Sequence, residues 1–373
     1  MAVQVVTLEQ REEKVKKDEP GSEMYDGDGV LLQKLGTDPN YRHQFVPGIV
    51  LIFVILHIAA VYGFYLAFRS SIITPIWAYL VALASSQGIM LGAHRGFSHN
   101  SFKMTAAVQI MFVILQTISG QNHIYWWVRD HRLHHKYCDT DADPYNASRG
   151  FFFSHIGWLM SRKHPLVSEK GKTIDMSDIE ANKFVAFQRR FFVPMFLVFC
   201  VLIPTAVPVY CWNESLWNSF FISFVLRYVA VLNMTWCINS VAHMHGTQEF
   251  DRLEHFVMAL FSELSLYTRI SLNSRHGHLY CRRISARQSY FGDLVSLGEG
   301  WHNYHHSFPW DHAFSEFGYK GGVSTNFLYF LRDLGLVYDL KKASRKVVYG
   351  HSQRHGDGTL GTEKSTLSNP KSL

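Results

Sequence analysis

Three clusters of histidine carry the clearest chemical signal in this sequence, which contains 21 histidines in 373 residues. The first cluster has two histidines five residues apart, and each of the others has a histidine followed three and four residues later by two more. An asparagine and a further histidine stand four residues apart between the second and third clusters. The ten residues are His94, His99, His131, His134, His135, Asn239, His243, His302, His305 and His306. Imidazole nitrogens bind iron, copper, nickel and zinc, so the pattern indicates a metal site without choosing the metal.

The spacing predicts which of these side chains meet. Positions three and four apart share one face of a helix, so the second and third clusters should each converge on a point. Asn239 and His243 should converge in the same way. A five-residue step does not share a face of an α-helix. We therefore expect His94 to end a helix and His99 to follow on a turn, which Gly96 would permit.

The number of ligands indicates two metal ions. A structural zinc ion takes four ligands and usually includes cysteine, whereas nine histidines exceed the capacity of one ion. They suit two ions with open positions. A ligating imidazole also needs a hydrogen-bond acceptor at its other nitrogen. The carboxylates near the clusters in sequence are Asp139, Asp141, Asp143 and Glu299, and each could equally be a helix cap or a solvated charge.

Long apolar runs indicate that the clusters belong to a membrane protein. The sequence is 47% hydrophobic and 15% aromatic, and four runs reach the roughly 20 apolar residues that a spanning helix needs. They are Val46–Phe68, Ile72–Ala93, Phe191–Val209 and Leu216–Val241. Buried helices of a large soluble protein are the alternative, but such helices rarely come as four runs of this length. The predicted fold is an all-α integral membrane protein with four transmembrane helices.

The charges between the runs predict the orientation of the spans. The loop between the first two runs carries only Arg69, and the loop between the last two has no lysine or arginine. Both termini and the central region are therefore expected in the cytosol. All clusters then lie on the cytosolic side, provided that the shorter run Thr105–Ser119 is interfacial and does not cross. Arg227, inside the fourth run, is expected to face protein, and His57, inside the first, to be a packed core residue.

Composition also sets boundaries and excludes some partners. Residues 1–40 and 346–373 are polar and are predicted to be disordered cytosolic tails around a membrane domain at 41–345. The charged start of the chain has no apolar core for a cleavable signal peptide. The formal charge of +6 comes from scattered basic residues, so we expect contact with membrane lipid and not with nucleic acid. The five cysteines show no paired spacing.

Beyond the clusters the sequence resembles the animal acyl-CoA delta-9 desaturases, the stearoyl-CoA desaturase family. The likeness covers residues 41–345 and includes the stretches Gly92–Arg95, Trp127–His131, Thr140–Pro144, Arg149–Trp158, Arg162–Pro165, Asn233–Trp236 and Gly298–His302. It implies four spans under a cytosolic helical cap in the endoplasmic reticulum membrane. It also implies two iron ions (Fe²⁺) held by the nine histidines, with Asn239 acting through a water.

The activity implied by the resemblance is insertion of one cis double bond, at delta-9, into a saturated long-chain acyl-CoA during unsaturated fatty acid biosynthesis. Dioxygen is the oxidant, and electrons come from NADH through cytochrome b5 reductase and cytochrome b5. Positions matching the tunnel bend are Gln121, Asn122, Trp127, Thr235 and Trp236, and those matching the CoA thioester and phosphates are Arg129, Asp130, Arg162 and Lys163. From the residues alone, the two tryptophans would be assigned to core packing. Ala82 and Ser86 are expected either to line the far end of the tunnel or to serve helix packing.

Two features depart from the family pattern. Tyr145 stands where the family usually has histidine, at a position that is not a ligand, so little is expected to change. His243 and His302 are further apart than the family pattern, and the surplus, at 253–283, is a genuine insertion or an artefact of the gene model. It contains His278, an alternative ligand to His243, and its apolar part is too short to span, so it is expected to stay on the cytosolic face. A fatty acyl hydroxylase, a desaturase of other regiospecificity, a metal transporter and an inactive paralogue remain alternatives.

Overall fold

The structure is a computed structural model that describes residues 36–250, 285–289, 293, 296, 298–315 and 322–358. The described residues from Thr37 onward belong to one compact unit. They are almost entirely helical, and among them the named strands are a single antiparallel pair, Lys103–Met104 with Val337–Tyr338. The all-α fold class is confirmed.

Within the described residues, four helices are long and apolar enough to cross a membrane, as predicted. They are α1 (Pro47–Ala67), α2 (Ile73–Ser98), α8 (Phe192–Trp212) and α9 (Leu216–Met244). The helices between and after them are α3 (Ala106–Ser119), α4 (Ile124–Tyr137), α5 (Pro165–Gly171), α6 (Ser177–Glu180), α7 (Lys183–Arg190), α10 (His302–Ser307), α11 (Val323–Asp333) and α12 (Arg345–His355), with short turns at Ala147–Arg149, Phe153–Gly157 and Trp158–Met160.

The four spans divide into an inner and an outer pair. In their most apolar windows, 61% of α2 and 50% of α9 is buried, against 17% of α1 and 22% of α8. The outer pair exposes side chains such as Ile52, Ile58 and Val193, as a helix facing lipid does. The inner pair supplies His94, His99 and His243 at its ends, and both helices extend past the ends predicted from the apolar runs, to Ser98 and Met244.

The end of α2 differs from the prediction. Residues Gly88–Ser98 form a π-helix, in which hydrogen bonds run from residue i to i+5. His99 N accordingly donates to the His94 oxygen at 3.2 Å. The wider turn places residues five apart on one face, so His94 does not end the helix and His99 caps it directly. The predicted turn between these histidines is therefore wrong.

Small residues on this wide turn let α3 approach closely. A Cβ on Gly92 would lie 2.8 Å from Phe112 Cβ, and a Cβ on Gly88 would lie 2.3 Å from Gln116 N. The approach therefore requires glycine at both positions. α3 has 14 residues, below the length of a span, and it ends at Gly120 with φ +70°. Its length agrees with the prediction that it does not cross.

Arg227 lies in α9 and is buried, as predicted. It donates to the carbonyl oxygens of Ile118 at 2.6 Å, Cys200 at 2.7 Å and Ser223 at 3.2 Å. A guanidinium within an apolar span is tolerated when its donors are satisfied by protein. His57 is also packed against α9, since its Nε2 lies 3.2 Å from Asn233 Nδ2.

Contacts with the rest of the protein extend several residues into both predicted tails. Thr37 Oγ1 donates to the Asp139 oxygen at 3.1 Å, so the packed region begins before residue 41. At the other end, α12 lies inside the predicted tail, and Ser352 donates to the Glu249 oxygen at 2.6 Å. These long-range contacts fix segments whose polar composition suggested disorder. The remaining residues of both tails lie outside the described residues.

The described residues on either side of the surplus segment meet. Thr247 and Gln288 form an antiparallel bridge, and Arg287 N donates to the Ala242 oxygen at 2.6 Å. Phe250 N donates to Asn303 Oδ1 at 2.9 Å. The described chain before and after the segment therefore lies at one place, beside α10. The segment 253–283 itself, with His278, lies outside the described residues.

Candidate metal centre

All nine histidines named above converge, and four elements supply them. The end of α2 supplies His94 and His99, and the end of α9 supplies His243. The second and third clusters are helical as predicted, on α4 and α10 respectively. The side chains divide into two groups according to which ligand atoms lie close to one another.

The first group consists only of imidazoles. Its ligand nitrogens, one from each residue, lie within 4.8 Å of one another, and its members are His94, His99, His131, His135 and His305. His94 Nε2 is 3.1 Å from His305 Nε2, and His305 Nε2 is 2.9 Å from His135 Nε2. His99 Nε2 is 2.8 Å from His131 Nε2. We call this group the first histidine group.

The second group contains a sulfur atom. Its ligand atoms again lie within 4.8 Å of one another, and its members are His134, Cys138, His243 and His306. His302 adjoins it, because its Nε2 is 3.1 Å from both His243 Nε2 and His306 Nε2. We call these five residues the second group. Asn239 lies one helical turn before His243 and lines the cavity beside it.

Several imidazoles have an oxygen at the nitrogen that points away from the groups. His94 Nδ1 lies 2.9 Å from Glu299 Oε2, and His134 Nδ1 lies 2.8 Å from Asp143 Oδ2. His243 Nδ1 lies 3.1 Å from Ser285 Oγ and 3.6 Å from Asp139 Oδ2. Three of the four carboxylates singled out by sequence therefore contact ligand candidates. The fourth, Asp141, pairs with Arg149 instead.

The groups are electrostatically suited to neutral imidazole. Burial, followed by the charges of neighbouring histidines, lowers the pKa of His131, His135, His302, His305 and His306 well below the usual value. Burial alone would raise the pKa of Glu299, but the Arg95 guanidinium and His94 outweigh it and lower that pKa. The carboxylate is therefore ionised.

The carboxylate contacts and the positions of the Nε2 atoms show that these residues fit a metal. A carboxylate at Nδ1 accepts a hydrogen bond from the ring N–H there, so the lone pair of the neutral imidazole is on Nε2. In His94 and His134 that lone pair points into the two groups, where other Nε2 atoms lie at 3.1 Å and 3.3 Å. Several nitrogen lone pairs directed at one point repel one another unless a cation lies between them. The donor set fits two metal ions.

An apolar cavity of about 290 Å³ borders both groups. His94 and His131 of the first group and His134 and His302 of the second lie on its wall. Seven of the nine predicted substrate positions line it as well, namely Gln121, Asn122, Trp127, Asp130, Lys163, Thr235 and Trp236.

The other two predicted substrate positions lie off this cavity. Arg129 stacks over Trp126 at 3.8 Å and donates to Asp130. Arg162 lines a smaller neighbouring cavity together with Lys163.

A fatty acid desaturase family model matches residues 70–318. The chain belongs to the fatty acid desaturase family. It is 43% identical over 321 residues to an acyl-CoA delta-9 desaturase of Acheta domesticus, covering 86% of this chain and 81% of the relative. It is 40% identical over 331 residues to a stearoyl-CoA desaturase of Homo sapiens, covering 89% and 83%. The resemblance stated from the motifs is confirmed, and a metal-dependent family agrees with histidine groups whose ligand atoms could hold a metal.

Sequence reasoning missed some residues of this desaturase site. The apolar cavity wall, with Ile89, Met90, Tyr228 and Leu232, gave no signal distinct from an ordinary span. Cys138 had a usable signal, because it stands four residues after His134 and so shares its face.

Tyr145 was expected to matter little, yet it is buried and its hydroxyl lies 3.4 Å from His131 Nδ1. Ala82 and Ser86 are absent from the cavity wall. Ser86 donates to the Ala82 oxygen at 2.7 Å and contacts Met234 Sδ at 3.9 Å, which favours helix packing.

Proposed function

We propose that this protein inserts one cis double bond, at carbon nine, into a saturated long-chain acyl-CoA. The observation that carries the proposal is that one apolar cavity is bordered by two groups of metal-ligand side chains. A saturated chain has no functional group to direct attack, so the enzyme must choose the carbon by position alone. A cavity that holds the chain beside the metals supplies that choice.

We further propose that both metals are iron. The first histidine group would hold one ion, and His134, His243, His302 and His306 would hold the other, with Asn239 acting through a water. When bound, the iron pair supplies the one-electron and dioxygen chemistry that amino-acid side chains lack. We keep His243 rather than His278 as a ligand, because His243 Nε2 lies 3.1 Å from His302 Nε2.

The side chains on the cavity wall would position the acyl chain. Trp127 stacks on His131 with ring centroids 5.0 Å apart, which places a flat apolar surface directly beside the first histidine group. Gln121 Nε2 donates to Thr235 Oγ1 at 2.7 Å, joining α9 to the loop that follows α3. This bond pairs one amide N–H with the hydroxyl, which also donates to the Val231 oxygen, and so lowers the desolvation cost of placing an alkyl chain beside them. The wall also keeps water away from the oxidising centre.

Charged residues at one end of the cavity would bind the head of the substrate. Lys163 Nζ lies 2.6 Å from Asp130 Oδ2 and its side chain is 40% exposed, so it can exchange this partner for a phosphate. Arg129 precedes Asp130 in the chain and Arg162 precedes Lys163, and both would contribute further positive charge. The acyl chain would then extend from this end into the apolar part of the cavity.

The cellular setting is proposed from the loops and the family. The loop between α1 and α2 and the loop between α8 and α9 contain few basic residues. This supports cytosolic termini and a cytosolic metal site. The resemblance to the stearoyl-CoA desaturase family implies a place in the endoplasmic reticulum membrane. Electrons would come from NADH through cytochrome b5 reductase and cytochrome b5.

Expression in a host that lacks its own desaturase tests the proposal. Gas chromatography of total fatty acids should show a cis-9 monounsaturated product that is absent with an empty vector. A double bond at another carbon would correct the regiochemistry, and a hydroxylated product would overturn desaturation. Absence of any new product from a correctly folded, iron-loaded protein would overturn the proposal altogether.

A further inference from the structure

Cys138 differs from the other cysteines in the described part of the chain because it lies among metal-ligand side chains. Its Sγ lies within 4.8 Å of ligand nitrogens from His134, His243 and His306. Cys200, Cys211 and Cys237 belong to neither histidine group. The side chain is partly buried.

The position of Cys138 follows from the helix and from the turn after it. Cys138 is the C-terminal cap of α4, four residues after His134, so both side chains leave the same face. The chain then turns at Asp139, which has φ +57°, and Asp139 N donates to Asp143 Oδ2 at 2.8 Å. That same Asp143 oxygen lies 2.8 Å from His134 Nδ1. One carboxylate therefore fixes both the histidine and the turn that directs the cysteine.

The chain just after the surplus segment completes the surroundings of the Cys138 sulfur. Ser285, just after that segment, contacts both His243 Nδ1 and Asp139 Oδ2. The Cys138 thiol donates to the same Asp139 oxygen at 3.3 Å. The sulfur is thus held between the end of α4 and the end of α9.

We propose that Cys138 is a sulfur ligand of the second metal ion. This inference rests on the proposed function, since it requires that the second group binds a metal. Coordination replaces the S–H bond by a sulfur–metal bond, and the proton leaves to solvent. The first ion then has only imidazole nitrogens, whereas the second has four imidazoles and an anionic sulfur. Thiolate is a softer ligand than imidazole, so the two sites differ in metal preference and in how well they stabilise the oxidised ion.

Cobalt substitution tests this assignment without relying on catalysis. The full-length protein is purified in detergent and loaded with Co²⁺, and both bound metal and the near-ultraviolet thiolate-to-cobalt absorption are measured. Wild type should bind two cobalt ions and show the absorption. Cys138→Ser should lose all of it while keeping the visible bands of the imidazole-bound ion. Cys237→Ser is the matched control, because Cys237 lies on α9 outside both groups, and it should match wild type.

X-ray absorption at the cobalt edge of the wild type gives a second readout that needs no variant. The second ion should have one sulfur neighbour at roughly 2.3 Å and the first ion none. Because the measurement averages over both ions, it should give half a sulfur for each cobalt. Two bound ions with nitrogen and oxygen neighbours only would overturn the role of Cys138 and leave the proposed function standing. Failure of wild type to bind two ions would instead overturn the two-metal basis of that function.

Discussion

The two metal-ligand groups lie side by side but are supported differently. Behind the first, Glu299 contacts His94 and forms a fully buried ion pair with Arg95, whose Nη2 lies 2.6 Å from Glu299 Oε1. Arg95 also donates to the His312 oxygen at 3.1 Å and to Thr325 Oγ1 at 2.9 Å, joining α2 to α11. Behind the second there is no such arginine among the described residues; its supports are Asp143, Asp139 and Ser285.

This difference indicates that the first histidine group depends on a buried ion pair. The second group depends on the turn at Asp139 and on the contact that Ser285 makes with His243. Removing one member of a buried ion pair leaves the other charge without compensation, at a cost of about 3–5 kcal/mol. A hydroxyl or a turn carboxylate contributes less. Mutations behind the first group should therefore affect the stability of the fold, whereas mutations behind the second should mainly affect metal binding.

The largest expected effect comes from the ligands themselves. His135→Ala and His305→Ala should each abolish the unsaturated product, because each opens a position in the first histidine group. The measurement is fatty acid analysis of the expressing host, with protein level checked by immunoblot. His57→Ala is the control and should keep most activity, since His57 belongs to neither group and its polar contacts are with Phe53 and Asn233. Full activity in either ligand variant would contradict the assignment.

The next effect separates the two groups directly. Glu299→Gln should lower the free energy of unfolding by about 3–5 kcal/mol, because Arg95 would stay buried without its partner. Asp143→Asn should instead weaken metal binding roughly 10–100-fold with a smaller loss of stability. Thermal unfolding in detergent and metal titration measure the two quantities. Asp333→Asn, which breaks an exposed pair with Arg332, should cost no more than about 1 kcal/mol. Equal behaviour of the Glu299 and Asp143 variants would remove the contrast.

A smaller effect is expected on the cavity that both groups share. Leu232→Trp adds a ring to a buried position on the cavity wall, so it should shift the product towards shorter acyl chains. Leu80→Trp places the same ring on the lipid-facing side of α2 and should leave the chain-length profile unchanged. Identical profiles for the two variants would show that this cavity does not hold the acyl chain.

The smallest effect should follow deletion of residues 253–283. Thr247 and Gln288 already form a bridge, so a short linker can replace the segment without moving the second group. Loop length itself costs only about 0.6 kcal/mol for each doubling. We expect desaturation within about twofold of the intact chain, measured as product per immunoblotted protein. Loss of activity in a folded deletion variant would assign a site role to the segment and would make His278 a candidate ligand again.

Local periodicity explains what the sequence could predict. The four spans and the shared faces of α4 and α10 follow from composition and from spacings of three and four residues. The division of neighbours such as His134 and His135 between two groups does not follow, because it depends on where α2 and α9 end around α4. The π-helix at Gly88–Ser98 was also not predictable, since its wide turn fits the close packing of α3 against Gly88 and Gly92. α12 escaped prediction because long-range contacts, not composition, hold it.

The most direct test of the central claim is the iron content of the protein, measured together with its desaturation product. Purified wild type should contain two iron ions for each chain, and His135→Ala and His306→Ala, one from each group, should each retain fewer. A chain that binds one ion or none yet makes the unsaturated product would contradict the assignment of two metal sites to these two groups.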